Sequence, residues 1–359
     1  MPGIQNNTNR LRLEVGDDLE WEYSDAPPSD WAEAVRVCGG GFFHTPAALD
    51  VSLPPGDPFF ARGRRDGVVQ SVAMGIRNRC RLSRWWRHYH LASPPAGIGQ
   101  AASTTTQLVR ALSREGAAEI VIDSFDAPAD FPVLAQRAPG PARTEHRIST
   151  AGLTAADLHK SYSSTHRRHA SRGEREGWQL RTLSGIEASE LLYSVQGSAS
   201  ERAHERGDGF ATLKLAPSLL GGVPDELSAP WSRRCFASYA GEALLAVALV
   251  GWGNGRGFYL IGGSTPEGYK RSAAIWTQWQ IMSMGACAGH TTYNLGGTPG
   301  GAEEAGHPSH GLFRFKTGYG SQPVACKGSR WIVSPSHHRT HRVLARVEHQ
   351  IRRFAGNAS

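Results

Sequence analysis

One order of elements occurs twice in the 359-residue sequence, and this repeat constrains the fold more than any other feature. In the first half, residues 59–75 have the pattern of two strands around an Asp-Gly turn. A helix pattern follows at residues 104–115. Gly116 ends it, and a short strand pattern occupies residues 119–124.

The second half has the same order. A hairpin at residues 235–250 and a third strand at residues 257–262 precede a helix pattern at residues 271–288. Gly289 and a strand at residues 290–295 follow. The two copies lie about 170 residues apart, a period too long for a solenoid. The sequence therefore predicts an α/β protein with mixed α+β sheets, built from two tandem copies of one domain.

The predicted boundary gives an N-terminal domain over residues 1–155 and a C-terminal domain over residues 156–359. The sequence Ala-Pro-Gly-Pro-Ala at residues 138–142 is typical of a linker. The strand pattern at residues 143–149 is expected to close the first sheet.

Several classes of protein are disfavoured by composition. No run of about 18 apolar residues predicts a membrane span, and the polar N-terminus lacks a signal-peptide pattern, so we expect a cytoplasmic protein. The five cysteines lie far apart, which argues against a zinc ribbon and against a disulfide framework. His337 and His341 have helical ligand spacing, but their basic neighbours oppose a cation, and we expect no metal site.

The basic residues are clustered in a chain with a net charge of +7. Residues 62–87 hold eight arginines against one acid, and residues 327–353 hold seven lysines and arginines against one acid. Such clusters attract polyanions, although a solvated basic face is the alternative for either cluster alone. Together they favour a polyanionic partner, with candidate contacts at Arg77, Arg79, Arg81, Arg84, Lys327 and Arg330.

Residues 311–320, Gly-Leu-Phe-Arg-Phe-Lys-Thr-Gly-Tyr-Gly, hold the candidate catalytic cation. Lys316 is one of only five lysines, and it lies between an aromatic pair and a glycine-rich turn. A second glycine-rich segment precedes it at residues 293–300. A strand, a glycine loop and an aromatic-flanked cation can hold developing negative charge. An exposed lysine on an edge strand is the alternative, because a single-lysine motif has low specificity.

Hairpin, helix and strand in tandem are compatible with the GNAT acyltransferase fold, and four segments carry a closer resemblance. These segments are residues 42–49, 165–177, 293–297 and 313–320. In this order they resemble the aromatic box, the basic segment, the Tyr-Asp-Phe/Leu-Gly-Gly loop and the Phe-Lys-x-x-Phe-Gly box of the Fem-like (FemABX) aminoacyltransferases. The resemblance implies two tandem GNAT-like domains and transfer of an amino acid from aminoacyl-tRNA to an amine.

The resemblance also implies the site residues. Lys316 and Phe315 would be catalytic, with Lys316 next to the carbonyl oxygen or the departing ribose hydroxyl. Substrate contacts would come from Arg206, at a phosphate-contacting position of the family, and from His44, Asn294 and Tyr319. His44 replaces the usual glutamine, and Asn294 replaces the loop aspartate. The family's other phosphate-contacting position, a lysine, is absent from this sequence.

These departures disfavour a cell-wall precursor as acceptor and favour the branch that joins amino acids to small metabolites in antibiotic biosynthesis. Aminoacyl-tRNA would be the co-substrate and no cofactor is expected. A peptidoglycan interpeptide-bridge enzyme remains the alternative, as do an acyl-CoA-dependent N-acyltransferase and a non-catalytic RNA-binding protein. Residues 266–273 lack the glycines of a coenzyme A pyrophosphate loop, which disfavours the acyl-CoA reading.

Overall fold

We describe a computed structural model of the chain. It describes residues 19–80, 83–99, 101–128, 131, 133, 136–137, 143–205, 231–336, 338–340 and 343. The side chains of residues 79–80, 83–86, 136–137 and 202–203 are outside the description. No helix in these ranges combines the length and apolar character needed to cross a bilayer.

The first half of the chain contributes most of one mixed sheet. Its elements are β1 (Glu20–Ser24), α1 (Trp31–Val37), two 3-10 turns (Phe42–His44 and Pro46–Ala48), α2 (Leu49–Ser52), β2 (Asp57–Arg65), β3 (Val68–Cys80), β4 (Ser83–Leu91), β5 (Ala96–Gly97), α3 (Ala101–Arg114), β6 (Ala117–Ile122), β7 (Gln136–Arg137) and β8 (Arg143–Ser149).

The second half begins with three helices and one strand, α4 (Ala155–Ser161), α5 (Ser164–Arg175), β9 (Gln179–Leu183) and α6 (Gly185–Glu205). The sheet and its covering helices follow as β10 (Trp231–Ala240), β11 (Ala243–Gly253), β12 (Arg256–Ser264), α7 (Pro266–Lys270), α8 (Ala273–Cys287), β13 (Thr292–Pro299), α9 (His310–Thr317), β14 (Gln322–Cys326) and β15 (Ser329–Ile332).

The predicted repeat is confirmed. Within the described residues the first sheet has the order β1-β2-β3-β4-β6-β15-β7, with β5 beside β3. The second has the order β14-β8-β13-β12-β11-β10-β9. In each sheet an antiparallel meander leads through a helix to a strand that pairs in parallel, β4 with β6 and β12 with β13. The mixed α/β class with two tandem GNAT-like units is therefore correct.

The hairpin turns follow from local chemistry. Asp66 and Gly67 both have positive φ, 51° and 75°, between β2 and β3. Asn254 and Gly255 have φ of 48° and 68° between β11 and β12. Two consecutive left-handed residues form the type I′ turn whose twist matches antiparallel strands.

Two strands lie in the sheet of the other half, and the expectation that residues 143–149 close the first sheet is wrong. Strand β8 pairs with β13 and β14 in the second sheet. Strand β15, near the end of the chain, pairs with β6 and β7 in the first sheet. The edge beside β6 is therefore closed by β15. The boundary at residues 155 and 156 stays a prediction.

Aromatic side chains pack the two sheets together. The Phe43 ring, from the 3-10 turn, contacts Phe125 and Phe258 at centroid distances of 5.0 and 4.6 Å. Phe258 belongs to β12 of the second sheet and shares one core cluster with Phe43, and the partly buried Phe125 packs against that cluster. Aromatic burial of this size provides much of the apolar stabilisation of such an interface.

Candidate active site

The candidate site lies where β12 and β13 diverge. These strands form three parallel ladder pairs, from Arg256↔Thr292 to Phe258↔Asn294. Both strands are fully described and continue to Ser264 and Pro299, but no further ladder pair joins them. In the first sheet, β4 and β6 form five pairs. A gap is thus present in the second copy only.

Both strands that border the gap have a register shift next to it. In β12, the register with β11 shifts so that Leu260 has no ladder partner. In β13, the register with β8 shifts between Asn294 and Gly297. A bulge turns backbone groups out of the ladder, and bulges commonly occur beside active sites.

The backbone conformation of Gly296 and its lack of a side chain suit this position. Its φ is +74°, and a Cβ there would lie 3.0 Å from the Tyr259 carbonyl and 3.5 Å from Lys316 Nζ. The Gly296 amide donates to Asn294 Oδ1 at 2.9 Å, which fixes the bend. A glycine therefore leaves space beside the lysine amine that a side chain would crowd.

Lys316 reaches the gap from helix α9, so the edge-strand alternative for this residue is wrong. The side chain is 5% exposed, and Nζ donates to the Gly297 carbonyl at 2.7 Å. Burial lowers the pKa of its ammonium from 10.5 to about 7, partly opposed by the nearby Glu145 carboxylate. The lysine therefore changes charge near neutral pH.

Glu145 is the buried counter-charge of the site. It has no solvent-exposed surface and lies on β8 opposite Gly297 in the ladder. Arg143 and Arg147 donate to its carboxylate at 3.1 and 2.9 Å. The amide of Asn294 donates at 2.8 Å. A buried carboxylate needs such partners, because an unpaired one would be strongly destabilising.

Asn294 stands where the loop of the Fem-like family has an aspartate, and this arrangement explains why an amide fits there. Its Nδ2 donates to Glu145 and lies 3.5 Å from an Asp126 carboxylate oxygen. Arg256 pairs with Asp126 at 3.3 Å. An aspartate at position 294 would add a third carboxylate here and remove the donor, so the amide fits this site.

Two buried histidines support the helix that carries Lys316. His166 on α5 donates from Nε2 to the Phe315 carbonyl at 2.8 Å, and its ring packs on Tyr319. A Cβ at Gly318 would lie 2.1 Å from the His166 ring, so glycine is required at that position. The carbonyl of Phe315 is therefore fixed in place.

His146, on β8, lies close enough to Lys316 to be affected by its charge. It contacts Thr298 Oγ1 at 3.1 Å and Ser321 Oγ at 3.4 Å, and Ser321 donates to the Lys316 carbonyl at 3.0 Å. Burial, together with the Lys316 charge, lowers the pKa of His146 to about 4. This histidine is neutral at physiological pH.

The predicted site residues fall into two groups. Lys316 and Asn294 come together at the gap, whereas Phe315 and Tyr319 pack against His166. Tyr319 is fully buried and its hydroxyl donates to the Ala274 carbonyl at 3.3 Å, so its contacts are with the core. His44 packs between the two halves, donates to the Pro94 carbonyl at 2.8 Å and has a pKa lowered to about 4 by burial.

The predicted tRNA contacts are dispersed. Arg77 is buried and pairs with Asp25 at 2.7 Å, and Arg330 pairs with Glu119. Lys327 is exposed between β14 and β15. Arg81 and Arg206 lie outside the described residues, and for Arg79 and Arg84 the strands are described but the side chains are not.

Sequence reasoning missed Glu145, His146 and His166. Glu145 had a readable signal, because Arg143, Glu145 and Arg147 alternate along a strand and so share one face. Nothing in the local sequence identifies His146 or His166, since their partners lie about 150 residues away.

Two other features lie outside this site. His88, Glu119 and His338 place ligand atoms within 4.8 Å of one another, but Arg330 already pairs with Glu119. A groove of about 430 Å³ lies between α5, α8, β9 and β10 and is lined by Glu174, Trp178, Leu180, Thr182, Phe236, Trp276, Gln280 and Met284. None of the predicted site residues lines it.

Comparison with known proteins agrees with the fold. Residues 160–316 match the family described as Acetyltransferase (GNAT) domain, so this part of the chain is a GNAT-type acyltransferase domain. No curated protein sequence matches the chain significantly.

The fold is shared with solved structures at low sequence identity. The crystal structure of FemX superposes with a TM-score of 0.63 and 14% identity, covering 85% of this chain and 96% of that one. A conserved protein of unknown function from Bacteroides thetaiotaomicron superposes with a TM-score of 0.51 and 11% identity, covering 86% and 98% of the two chains. Both similarities extend over the two halves of this chain and show the fold.

Proposed function

We propose that the protein is an aminoacyltransferase that moves an amino acid from aminoacyl-tRNA to the amine of a small-molecule or peptide acceptor. The observation that carries the proposal is the buried Lys316 amine at the gap between β12 and β13, on a fold shared with FemX. The proposed setting is the biosynthesis of an antibiotic or similar secondary metabolite.

The proposed reaction exchanges an ester for an amide. The acceptor nitrogen attacks the ester carbonyl carbon, a C–N bond forms, and the bond to the ribose oxygen breaks. One proton leaves the nitrogen and one is gained by the departing ribose hydroxyl. An ester is activated relative to an amide, so the step needs no ATP. The enzyme has to position two reactants and stabilise an oxyanion.

Lys316 is the proposed oxyanion partner. The amine is held at 2.7 Å from the Gly297 carbonyl, so its position is set before substrate binds. A buried cation stabilises developing negative charge more strongly than one in water, because the local dielectric is low. Phe315 contributes through its fixed backbone and ring.

The first aromatic segment supports an acceptor without the nucleotide-linked phosphates of a cell-wall precursor. Phe42, Phe43, His44 and Thr45 are all buried in the contact between the two halves. These side chains are engaged in packing. A peptidoglycan interpeptide-bridge enzyme is therefore the less favoured alternative.

The match to a GNAT acetyltransferase domain favours a second candidate, an acyl-CoA-dependent N-acyltransferase. The segment where a pyrophosphate would bind argues against it. Arg271, just before α8, pairs with Glu267 at 2.7 Å and with Glu176 at 3.4 Å. Two carboxylates at this helix start oppose a bound anion.

Incubation with charged tRNA and candidate amines tests the proposal. We expect formation of an amide, detected by mass spectrometry, that disappears after RNase treatment of the donor and in the Lys316→Ala variant. A product formed from acetyl-CoA, together with a thermal shift on coenzyme A, would support the second candidate instead.

A further inference from the structure

The arginines of the described surface differ in whether acids neutralise them. In the first sheet, Arg62 pairs with Glu22 at 3.0 Å and with Asp30 at 2.6 Å, and Arg64 pairs with Glu22 at 3.0 Å. Ion pairs of this kind leave little net field for an external anion. The basic sequence cluster at residues 62–87 is therefore partly neutralised within the fold.

Helix α5 differs because two of its exposed arginines are not neutralised in this way. Arg168, Arg172 and Arg175 are spaced i, i+4 and i+7, so they form one stripe about 10 Å long on the helix surface. Arg168 and Arg175 are exposed and have no acid within ion-pair distance among the described residues. Arg172 pairs with Glu176, at the C-terminal end of the helix.

The positive charges of this stripe affect a histidine on the same helix. His169 lies between the arginines, and burial followed by the charges of Arg168 and Arg172 lowers its pKa. The opposite face of α5, with His166, Ala170 and Gly173, is buried against the domain. The arginine stripe thus faces solvent on a helix that cannot rotate.

Helix α5 is joined directly to the helix of Lys316. His166 donates to the Phe315 carbonyl at 2.8 Å, and the Ser163 amide donates to the Gly318 carbonyl at 2.8 Å. The arginine stripe lies on the face of α5 opposite His166, so a polyanion on the stripe would lie about one helix diameter, roughly 10 Å, from the candidate catalytic helix, on a rigid support.

We propose that Arg168 and Arg175, on either side of the paired Arg172, bind the phosphate backbone of the tRNA acceptor stem, so that the charged 3′ end reaches the gap at Lys316. This inference rests on the proposed function, since it assigns a surface to the proposed donor. The partner is a nucleic acid because the contact is a row of cations without an enclosed pocket, which suits repeated phosphates.

The test is fluorescence anisotropy of the full chain with labelled unfractionated bacterial tRNA, measured over a range of salt concentrations. We expect Arg168→Gln/Arg175→Gln to weaken binding on the order of tenfold or more at 50 mM salt, and to reduce the slope of log affinity against log salt by about 2. The double lysine variant, Arg168→Lys/Arg175→Lys, should keep most of the wild-type slope. Both sites are exposed, so the melting temperature should stay near that of wild type.

Helix α3 offers a matched control. Arg110 and Arg114 are an exposed i, i+4 pair in the half of the chain that lacks the lysine box, and Arg110→Gln/Arg114→Gln removes the same charge. Unchanged binding in this control supports the assignment. Equal loss in both double variants, or unchanged binding in the α5 variant while wild type binds tRNA, would overturn the α5 assignment alone. Absence of tRNA binding by wild type would overturn the proposed function as well.

Discussion

Replacing Lys316 by methionine should make the protein more stable at pH 6 while removing its activity. Burial lowers the pKa of the ammonium from 10.5 to about 7. Each pKa unit between the unfolded and folded states corresponds to about 1.4 kcal/mol. Below pH 7, the buried charge of this lysine therefore lowers the free energy of unfolding by at most about 5 kcal/mol.

Part of that gain is lost in the variant. Methionine cannot donate to Gly297, and leaving a buried carbonyl unpaired costs about 1–3 kcal/mol. The expected net gain is about 2–4 kcal/mol, which corresponds to a rise in melting temperature of roughly 3–5 °C for a chain of this size.

The gain must also depend on pH. The unfolded chain binds more protons than the folded one between pH 7 and pH 10.5, so the penalty is complete below pH 7 and fades towards pH 10.5. Melting curves of wild type and variant at pH 6, 8 and 10 measure this trend. The exposed Lys270→Met is the control and should change stability little. A Lys316→Met protein less stable than wild type at pH 6 would refute the reasoning and make Lys316 a structural donor.

Three further predictions concern the neighbours of Lys316 and its charge. Asn294→Asp should lower the free energy of unfolding at pH 7 by about 2 kcal/mol, because it adds a carboxylate beside Glu145 and removes a donor. Urea titration should show that this loss, relative to wild type, is smaller at acid pH. An equal loss at the two pH values would contradict the prediction. Gly318→Ala should lower both the melting temperature and transfer, because its Cβ meets the His166 ring at 2.1 Å, whereas Gly311→Ala on the same helix has open space and should do neither. The transfer rate, divided by the fraction of unprotonated acceptor amine, should fall as pH rises above about 7, because the Lys316 cation loses its proton. A corrected rate that rises through pH 7 to a plateau would instead indicate a neutral lysine acting as base.

The repeat could be predicted because its signals are local. Alternation in residues 59–75 and the Asp66-Gly67 turn determine one hairpin within a few residues. The placement of β8 and β15 could not be predicted in this way. Both depend on partners in the other half of the chain, and the choice between two similar sheets is made by tertiary packing.

The candidate site was partly predictable for the same reason. The glycine-rich segment and the Phe-Lys box predicted Asn294, Phe315 and Lys316 as site residues, and the structure places Asn294 and Lys316 at the gap. The helix around Lys316 was not predicted, because the glycines beside the lysine indicate a turn and an edge strand was the alternative, whereas the structure places residues 310–317 on α9. Glu145, Arg143 and Arg147 were not predicted as site residues because they lie on β8, which was expected in the first sheet but pairs in the second.

Single-turnover transfer by Lys316→Ala, with charged tRNA as donor and the accepted amine, tests the central claim most directly. The account predicts a loss of about a hundredfold or more in the transfer rate, with the fold intact by circular dichroism and tRNA binding unchanged. A purified, folded Lys316→Ala protein with near-normal turnover would contradict it.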